Sequence, residues 1–189
     1  MSEQSWTTSF TVDRPPGAVF DAITDVRRWW LEQIEGDPTA VGNEFGFSVP
    51  GVHRSRLRVT ELVPGERVVW RVLDNHMSFV DDQSEWIGTE IRFELSTVGG
   101  ATELRFTHEG LVPGYECFDV CSNAWGSYIG GSLRDLVTTG RGNPSSNPDE
   151  TRLQDQQVGR SRCAVRIPGA DRSRLPGQRR PVSPRTAPG

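Results

Sequence analysis

Residues 115–140 read YECFDVCSNAWGSYIGGSLRDLVTTG, the longest segment of the chain with helical spacing of its apolar residues. Successive residues of an α-helix are turned by about 100°, and at that spacing one stripe of this segment is largely apolar. The stripe consists of Phe118, Cys121, Trp125, Ile129, Ser132 and Leu136. The sequence therefore predicts one long helix over about 115–138 that packs along a sheet, with Gly140 as its carboxyl-terminal stop.

Short runs of alternating polar and apolar residues precede this helix. They predict strands over about 5–12, 44–49, 54–62, 67–74, 86–95 and 101–109, with Gly99-Gly100 as a hairpin turn. Asp13 followed by Pro15-Pro16 predicts the start of one short helix, and a second is predicted over 26–34. The predicted fold class is α+β, with a curved antiparallel sheet of about six strands wrapped around the long C-terminal helix. Two short helices follow the first strand.

Charge and aromatic content divide the chain into two parts. The 189 residues carry 21 basic groups, all of them Arg, and 25 acidic groups. Residues 1–140 hold 11 Arg and 21 acids, whereas residues 141–189 hold 10 Arg and 4 acids. All 16 aromatic residues lie before residue 140. We therefore expect one globular domain over 1–143 and a disordered tail, rich in Arg, Pro, Gly and Ser, over 144–189.

Several classes of protein are excluded by these patterns. No apolar run approaches the roughly 18 residues that a membrane helix needs, and the first ten residues do not resemble a signal peptide. A cytoplasmic location is therefore expected. An acidic domain argues against nucleic-acid binding, for which only the basic tail is suited. Phosphate-binding loops, dinucleotide fingerprints and nucleophile elbows are missing from the sequence, so no cofactor is predicted.

Three segments resemble a known superfamily. They are VDRPPGAVFDAITD with the following RRWW, then EWIGTEIRFELSTVGGATELRFTHEGL, then ECFDVCSNAWGSYIGGSLRDLVTTGRGNP. Over about residues 5–144 the chain is similar to the START-like, or SRPBCC, superfamily with its helix-grip fold. Within it, the chain resembles the branch named after the activator of a heat-shock-chaperone ATPase. The resemblance implies a cavity between the long helix and the concave sheet, usually for an apolar or amphipathic small molecule.

His108 is the most informative single residue. It is in phase with Leu104 and Phe106 along its strand, so its imidazole is expected to face the interior. A buried imidazole can be a core histidine bonded to a backbone carbonyl or hydroxyl, can fix a polar ligand atom, or can act as an acid or base. These alternatives stay open at the level of sequence.

Cys117 and Cys121 are neighbours on one helix face, a short loop away from His108. Two thiolates and an imidazole lack the fourth ligand of a structural zinc site, so we predict no metal site and expect the cysteines in the core or cavity wall. Asp81, Asp82 and Glu85 are expected to form a solvated loop. Gly126, Gly130 and Gly131 interrupt the long helix, which predicts bending or motion that admits a ligand, or a close contact with another subunit.

The leading hypothesis is a non-catalytic module that binds a small hydrophobic or amphipathic molecule, as a monomer or homodimer. The candidate lining residues are Trp30, Trp70, Phe93, His108, Cys121 and Trp125. One rival is a co-chaperone that stimulates a chaperone ATPase, as the name of the branch implies. We rank this interpretation lower because the name describes relatives with an additional amino-terminal domain, and we expect no such domain before Ser5. The other rival is a polyketide cyclase or dehydratase, for which His108 is the evident acid or base. An enzyme is thus the less favoured expectation.

Overall fold

A computed structural model describes residues 5–145 of the chain. Seven strands, rather than the predicted six or so, form one antiparallel sheet in the order β1-β7-β6-β5-β4-β3-β2. The strands are β1 Trp6–Val12, β2 Ile34–Gly36, β3 Glu44–Val49, β4 His53–Val63, β5 Arg67–Met77, β6 Glu90–Val98 and β7 Ala101–Glu109. The additional strand is β2, a three-residue edge strand that is too short to produce a readable alternation.

Two helical segments follow β1, as predicted, but the second is much shorter than expected. Helix α1 spans Pro16–Thr24, and a single 3₁₀ turn spans Val26–Arg28. Pro15, not Asp13, holds the N-cap position of α1, and no side chain caps that helix. The remainder of the predicted second helix forms an irregular segment that ends in β2.

Strand β6 begins four residues later than predicted. Residues 84–88 form turns, so Trp86 and Ile87 do not continue the strand, and Ile87 is about half exposed. Trp86 is nevertheless buried, because the turn directs its ring beneath the sheet-facing side of the C-terminal helix, where it stacks on Trp125. The apolar alternation was thus a wrong guide to the start of this strand.

One row of side chains crosses the concave face of the sheet. Hydrogen-bonded registers place Val59 opposite Trp70, Trp70 opposite Ile91, Ile91 opposite His108, and His108 opposite Trp6. The β4–β5 pairing shifts register on either side of Val59. Such bulges bend a strand and strengthen its twist, which helps the sheet to curve around the helix.

The C-terminal helix is continuous but not uniformly α-helical. It consists of α2 Phe118–Ser127, a π-helical segment Tyr128–Leu133, and α3 Arg134–Thr139. Gly140 ends it with φ 81°, as the sequence predicts, and donates its N–H to the Leu136 carbonyl. The π-helical segment contains Gly130 and Gly131, so the irregularity falls where the glycines are. π-Bulges frequently mark functional sites.

The chain continues past the helix along the surface of the domain. Ser145 exchanges backbone hydrogen bonds with Trp30 and Glu32 at 3.0 and 3.2 Å, and its hydroxyl lies 2.9 Å from the Tyr128 hydroxyl. Asn143 N–H donates to Ser132 Oγ at 2.6 Å. The docked segment therefore extends to at least Ser145. The rest of the predicted tail lies outside the described residues.

Candidate functional site

His108 lies at the centre of a hydrogen-bond chain in the interior. It is fully buried, as predicted. The Trp125 indole N–H donates to His108 Nδ1 at 3.1 Å, and Thr89 Oγ1 lies 2.9 Å from Nε2. The Thr89 hydroxyl in turn donates to the Trp86 carbonyl oxygen at 2.6 Å. Nδ1 accepts a hydrogen bond, and the Thr89 hydroxyl proton is donated to the Trp86 carbonyl. Nε2 must therefore carry the ring proton and donate a hydrogen bond to Thr89 Oγ1.

This chain holds the imidazole neutral. Burial lowers the pKa of His108 from its usual 6.5 to about 3. The two ring nitrogens already have partners of the right polarity for one neutral tautomer, so protonating Nδ1 would oppose the Trp125 donor. His108 thus resembles a satisfied core histidine that positions Trp125, rather than a group waiting for a proton.

Four buried tryptophan rings lie in the same interior as these hydrogen bonds. We name Trp30, Trp70, Trp86 and Trp125 the indole cluster. Trp30 lies 5.0 Å from Trp125 and 6.2 Å from Trp70, measured between ring centroids. Trp86 stacks on Trp125 at 6.0 Å. Each such ring removes a large apolar area from water, and offset contacts between aromatic rings contribute about 0.5–1.5 kcal/mol beyond that burial.

All six residues predicted to line a cavity are buried in this region. Trp30, Trp70 and Trp125 belong to the indole cluster, and Phe93 meets Trp70 at 5.0 Å. Cys121 is buried on α2, one turn before Trp125. The structure therefore brings these side chains to one interior, between the C-terminal helix and the concave face of the sheet.

The two cysteines lie at the beginning of the C-terminal helix. A hydrogen bond with Cys121, together with burial, raises the pKa of the Cys117 thiol, so Cys117 is uncharged at neutral pH. Both are free thiols. Within residues 5–145 no group of three or more His, Cys, Asp or Glu side chains is arranged to hold a metal ion.

Glu85 differs from its prediction as a solvated loop residue. Its side chain is buried, and its carboxylate accepts the backbone N–H groups of Glu116 at 2.6 Å and Cys117 at 3.0 Å. Glu116 reciprocates by accepting the Asp81 N–H at 2.6 Å. The loop between β5 and β6 is thereby fastened to the start of the C-terminal helix, where a negative charge is favoured by the helix dipole.

His53 also reaches this interior, which the sequence did not indicate. The ring of His53 lies 5.1 Å from that of Trp86, and the ring of His108 lies 4.8 Å from the same indole. The side-chain oxygen of Asn75 accepts a hydrogen bond from His53 Nε2 at 2.8 Å, because the Asn75 amide nitrogen donates to the Gln83 carbonyl. Burial lowers the pKa of His53 to about 4. No local pattern signals this contact, which depends on the loop that carries Trp86.

A concavity lies on the outer face of the sheet. It is an open groove of about 550 Å³ between β2, β3, β4 and β5, and none of the six predicted lining residues contributes to it. Four of its five charged lining residues form ion pairs, Arg54 with Asp74 at 3.1 Å and Arg56 with Glu44 at 3.5 Å, and the fifth is Glu35.

An antiparallel sheet curved around a C-terminal helix, with an aromatic interior between them, defines the helix-grip class of START-like domains. Residues 13–138 match the model of one family in this class, described as Activator of Hsp90 ATPase homolog 1-like protein. The chain belongs to this family. In the part of the chain that the structure describes, no helix has the length and apolar character needed to cross a bilayer.

Solved structures share this fold. The Aha1 dimer from Colwellia psychrerythraea is 27% identical with a TM-score of 0.60, and the match covers 73% of this chain and 98% of that one. Protein MLL2253 from Mesorhizobium loti is 16% identical with a TM-score of 0.56, covering 71% and 96%. DynU16, a putative protein in the dynemicin biosynthetic locus, is 17% identical with a TM-score of 0.54, covering 74% and 49%. Among curated proteins, none matches this chain.

Proposed function

We propose that this protein binds a small hydrophobic or amphipathic molecule between the C-terminal helix and the sheet, without transforming it. The observation that carries the proposal is the indole cluster, which is buried directly beneath a helix that is interrupted by a π-helical segment. Aromatic walls with few polar groups are typical of sites for apolar molecules. Trp30, Trp70, Phe93, His108, Cys121 and Trp125 are the proposed lining residues.

The covering helix has features that favour opening. A Cβ atom added at Gly126, Gly130 or Gly131 would meet no atom within 4 Å, so these glycines are not required by close packing. Each weakens the helix by about 0.8–1.0 kcal/mol relative to Ala. Glycines that packing does not need, next to a π-helical segment, support a helix that shifts to admit a ligand.

The state of His108 supports binding rather than catalysis. An efficient acid or base has a pKa near the working pH, whereas burial lowers the pKa of His108 to about 3. Its lone pair at Nδ1 is already engaged by Trp125. To act as a base, His108 would first have to give up this hydrogen bond.

A matched pair of variants on α2 tests the proposal. Cys121 is 5% exposed and points inward, while the adjacent Val120 is 50% exposed. Cys121→Phe fills interior space and Val120→Phe does not. We expect the uncharged probe N-phenyl-1-naphthylamine to bind the unmodified protein and the Val120→Phe variant, and to bind Cys121→Phe at least tenfold more weakly. Equal affinity in both variants, or no binding to the unmodified protein, would overturn the proposal.

A second candidate function rests on the family and on the similarity to an Aha1 dimer. In this alternative the domain stimulates the ATPase of an Hsp90-type chaperone. Steady-state ATP hydrolysis by the chaperone, measured with and without this protein, tests it. Stimulation that saturates with protein concentration would support the alternative, and an unchanged rate would exclude it.

A further inference from the structure

The indole N–H groups of the buried tryptophans fall into two sets. Trp29 donates to the Ile23 carbonyl at 3.1 Å, and Trp125 donates to His108. Trp70 and Trp86 are 0% and 4% exposed, yet their Nε1 atoms have no nitrogen or oxygen acceptor within the described chain. A buried donor without an acceptor is destabilising, and most buried polar groups in proteins are paired. Two in one aromatic interior therefore require an explanation.

Both unpaired donors belong to the proposed binding region. Trp70 lies in the row that crosses the concave face of the sheet, and its ring stacks on that of Trp30 with an angle of 1° between planes. The Trp86 ring contacts the rings of both His53 and His108, and its indole N–H is directed to the sulfur of Cys117, which is a weak acceptor. The rings of Trp70 and Trp86 are connected through two others. Trp30 contacts Trp70, Trp125 contacts Trp86, and Trp30 and Trp125 contact each other.

The buried acceptors of the same interior are already used. His108 Nδ1 accepts from Trp125, and the Glu85 carboxylate accepts two backbone N–H groups. Among residues 5–145, the buried side-chain nitrogen and oxygen atoms that lack a hydrogen bond are all donors. Besides the two indole nitrogens, this set contains Arg92 Nε. Arg92 lies between the core residues Ile91 and Phe93 on its strand, so its side chain is on the outer face of the sheet, where Nε lies 2.8 Å from the Glu109 carboxylate. The interior thus offers donors to a ligand and needs acceptors from it.

Charge narrows the class of ligand further. Glu85 places a carboxylate next to Cys117, and His108 is uncharged at neutral pH. A buried anion would meet no cation here and would be repelled by Glu85. An uncharged acceptor, such as a carbonyl or ether oxygen, matches an indole N–H without such a cost.

We infer that Trp70 and Trp86 are the specificity-determining residues of the interior site, and that its ligand is an uncharged apolar molecule with a carbonyl or ether oxygen. This inference rests on the proposed function. Both ring nitrogens of His108 already have hydrogen-bond partners, so His108 does not hold the polar atom of the ligand. The two indole N–H groups do so instead. His108 then acts as a positioning residue, since it holds the rings of Trp86 and Trp125.

Two pairs of compounds test the inference, because the members of each pair differ in an acceptor at the centre of a similar shape. They are benzophenone with diphenylmethane, and acetophenone with ethylbenzene. Titrations of the full chain would be followed by the six indole N–H signals of protein labelled with ¹⁵N-tryptophan. We expect each ketone to bind about tenfold more tightly than its hydrocarbon, the usual effect of one net hydrogen bond. The ketone should also move the Trp70 or Trp86 indole proton downfield, with smaller shifts at Trp29 and Trp125.

Single variants assign the preference to its donors. Trp70→Phe and Trp86→Phe keep an aromatic ring and remove the N–H, and at least one of them should abolish the preference for ketone while retaining hydrocarbon binding. Trp6→Phe, at the half-buried start of β1, is the control and should keep the preference.

The outcomes separate this inference from the proposal beneath it. Ketone and hydrocarbon binding with equal affinity would overturn the inference and leave the binding function standing. The same conclusion would follow if the ketone preference survived in both Trp70→Phe and Trp86→Phe. If none of the four compounds binds, the proposed function fails and the inference fails with it.

Discussion

Trp125 and His108 are joined by a hydrogen bond of 3.1 Å in which the indole N–H donates to Nδ1 of the imidazole. This contact connects the C-terminal helix to β7, the strand next to the sheet edge. It also fixes the tautomer of His108, because an accepting Nδ1 leaves the ring proton on Nε2. One hydrogen bond therefore joins the helix to the sheet and selects one neutral tautomer of His108.

Trp125→Phe is expected to lower the free energy of unfolding by more than the loss of ring area alone. The substitution leaves Nδ1 of His108 buried without a donor, which costs about 1–3 kcal/mol. Urea denaturation followed by circular dichroism measures the difference. In a His108→Leu background the acceptor is already gone, so Trp125→Phe should cost less there. Equal costs in the two backgrounds would show that the hydrogen bond contributes nothing.

The stability of the domain is expected to fall as the pH falls below about 6.5. Burial lowers the pKa of His108 to about 3 and that of His53 to about 4, from a usual 6.5. Between these limits the unfolded chain binds protons that the folded chain excludes. Each histidine therefore removes up to about 1.4 kcal/mol of unfolding free energy per pH unit. Above pH 6.5 this contribution is constant.

His108→Asn separates the contribution of His108 from that of the carboxyl groups, which titrate in both proteins. The variant should lose stability less steeply than the unmodified protein between pH 6 and 4. Chemical denaturation at a series of pH values gives the two slopes. Parallel curves would mean that His108 is protonated equally in the folded and unfolded states.

Alanine at Gly130 and Gly131 is expected to stabilise the domain, because open space surrounds both positions and each Gly costs about 0.8–1.0 kcal/mol relative to Ala. The matched control is Gly142→Ala, whose Cβ would collide with the Arg28 carbonyl oxygen and should destabilise. Thermal unfolding should show a higher melting temperature for the Gly130 and Gly131 variants and a lower one for Gly142→Ala. If the helix shifts to admit a ligand, Gly130→Ala with Gly131→Ala should also slow the association of N-phenyl-1-naphthylamine. An unchanged association rate would exclude that role.

Truncation is expected to have a sharp boundary at Ser145. A chain that ends at Asn143 loses the Ser145 hydrogen bonds to Trp30, Glu32 and Tyr128, and should be less stable by about 1.5–4.5 kcal/mol, at about 0.5–1.5 kcal/mol for each net bond. A chain that ends at Ser145 keeps them. Differential scanning calorimetry of both forms beside the full chain would measure the step. Equal melting temperatures for the two truncated forms would contradict the docking of this segment.

Glu85→Gln is expected to loosen the start of the C-terminal helix. The amide keeps the shape of the carboxylate but has one acceptor oxygen for two backbone N–H groups, so a charge-assisted bond worth about 1.5–3 kcal/mol is lost. Asp82→Asn, in the same loop, is the control because, among residues 5–145, the Asp82 side chain bonds only to the exposed Ser84. Faster hydrogen exchange at the Glu116 and Cys117 amides would report the loosening. Unchanged exchange would show that Glu85 does not fasten the helix.

Much of the fold follows from short-range patterns. The bounds predicted for β3 and β7 agree with the structure, and Gly140 ends the C-terminal helix as expected. These elements obey one clear period or carry one clear stop signal. Strand β2 and the π-helical segment could not be predicted, because three residues show no period and the π-helical geometry depends on packing against the sheet.

Only the part of the candidate site that lies on a single strand could be predicted from the sequence. Alternation along β7 places His108 inside, but its partners Thr89 and Trp125 come from a loop and a helix whose approach no local pattern encodes. Glu85 was misplaced for the same reason: an acidic loop reads as solvated until a helix N-terminus is brought to it. Long-range placement therefore decided which polar groups are satisfied.

We propose that an apolar molecule binds inside the domain, between the C-terminal helix and the sheet. Intermolecular nuclear Overhauser effects between protein protons and bound benzophenone would locate this molecule. We expect contacts from the ligand to the indole protons of Trp70, Trp86 and Trp125. Contacts confined to the outer groove, at Gly46, Ser48 and Arg56, would contradict it.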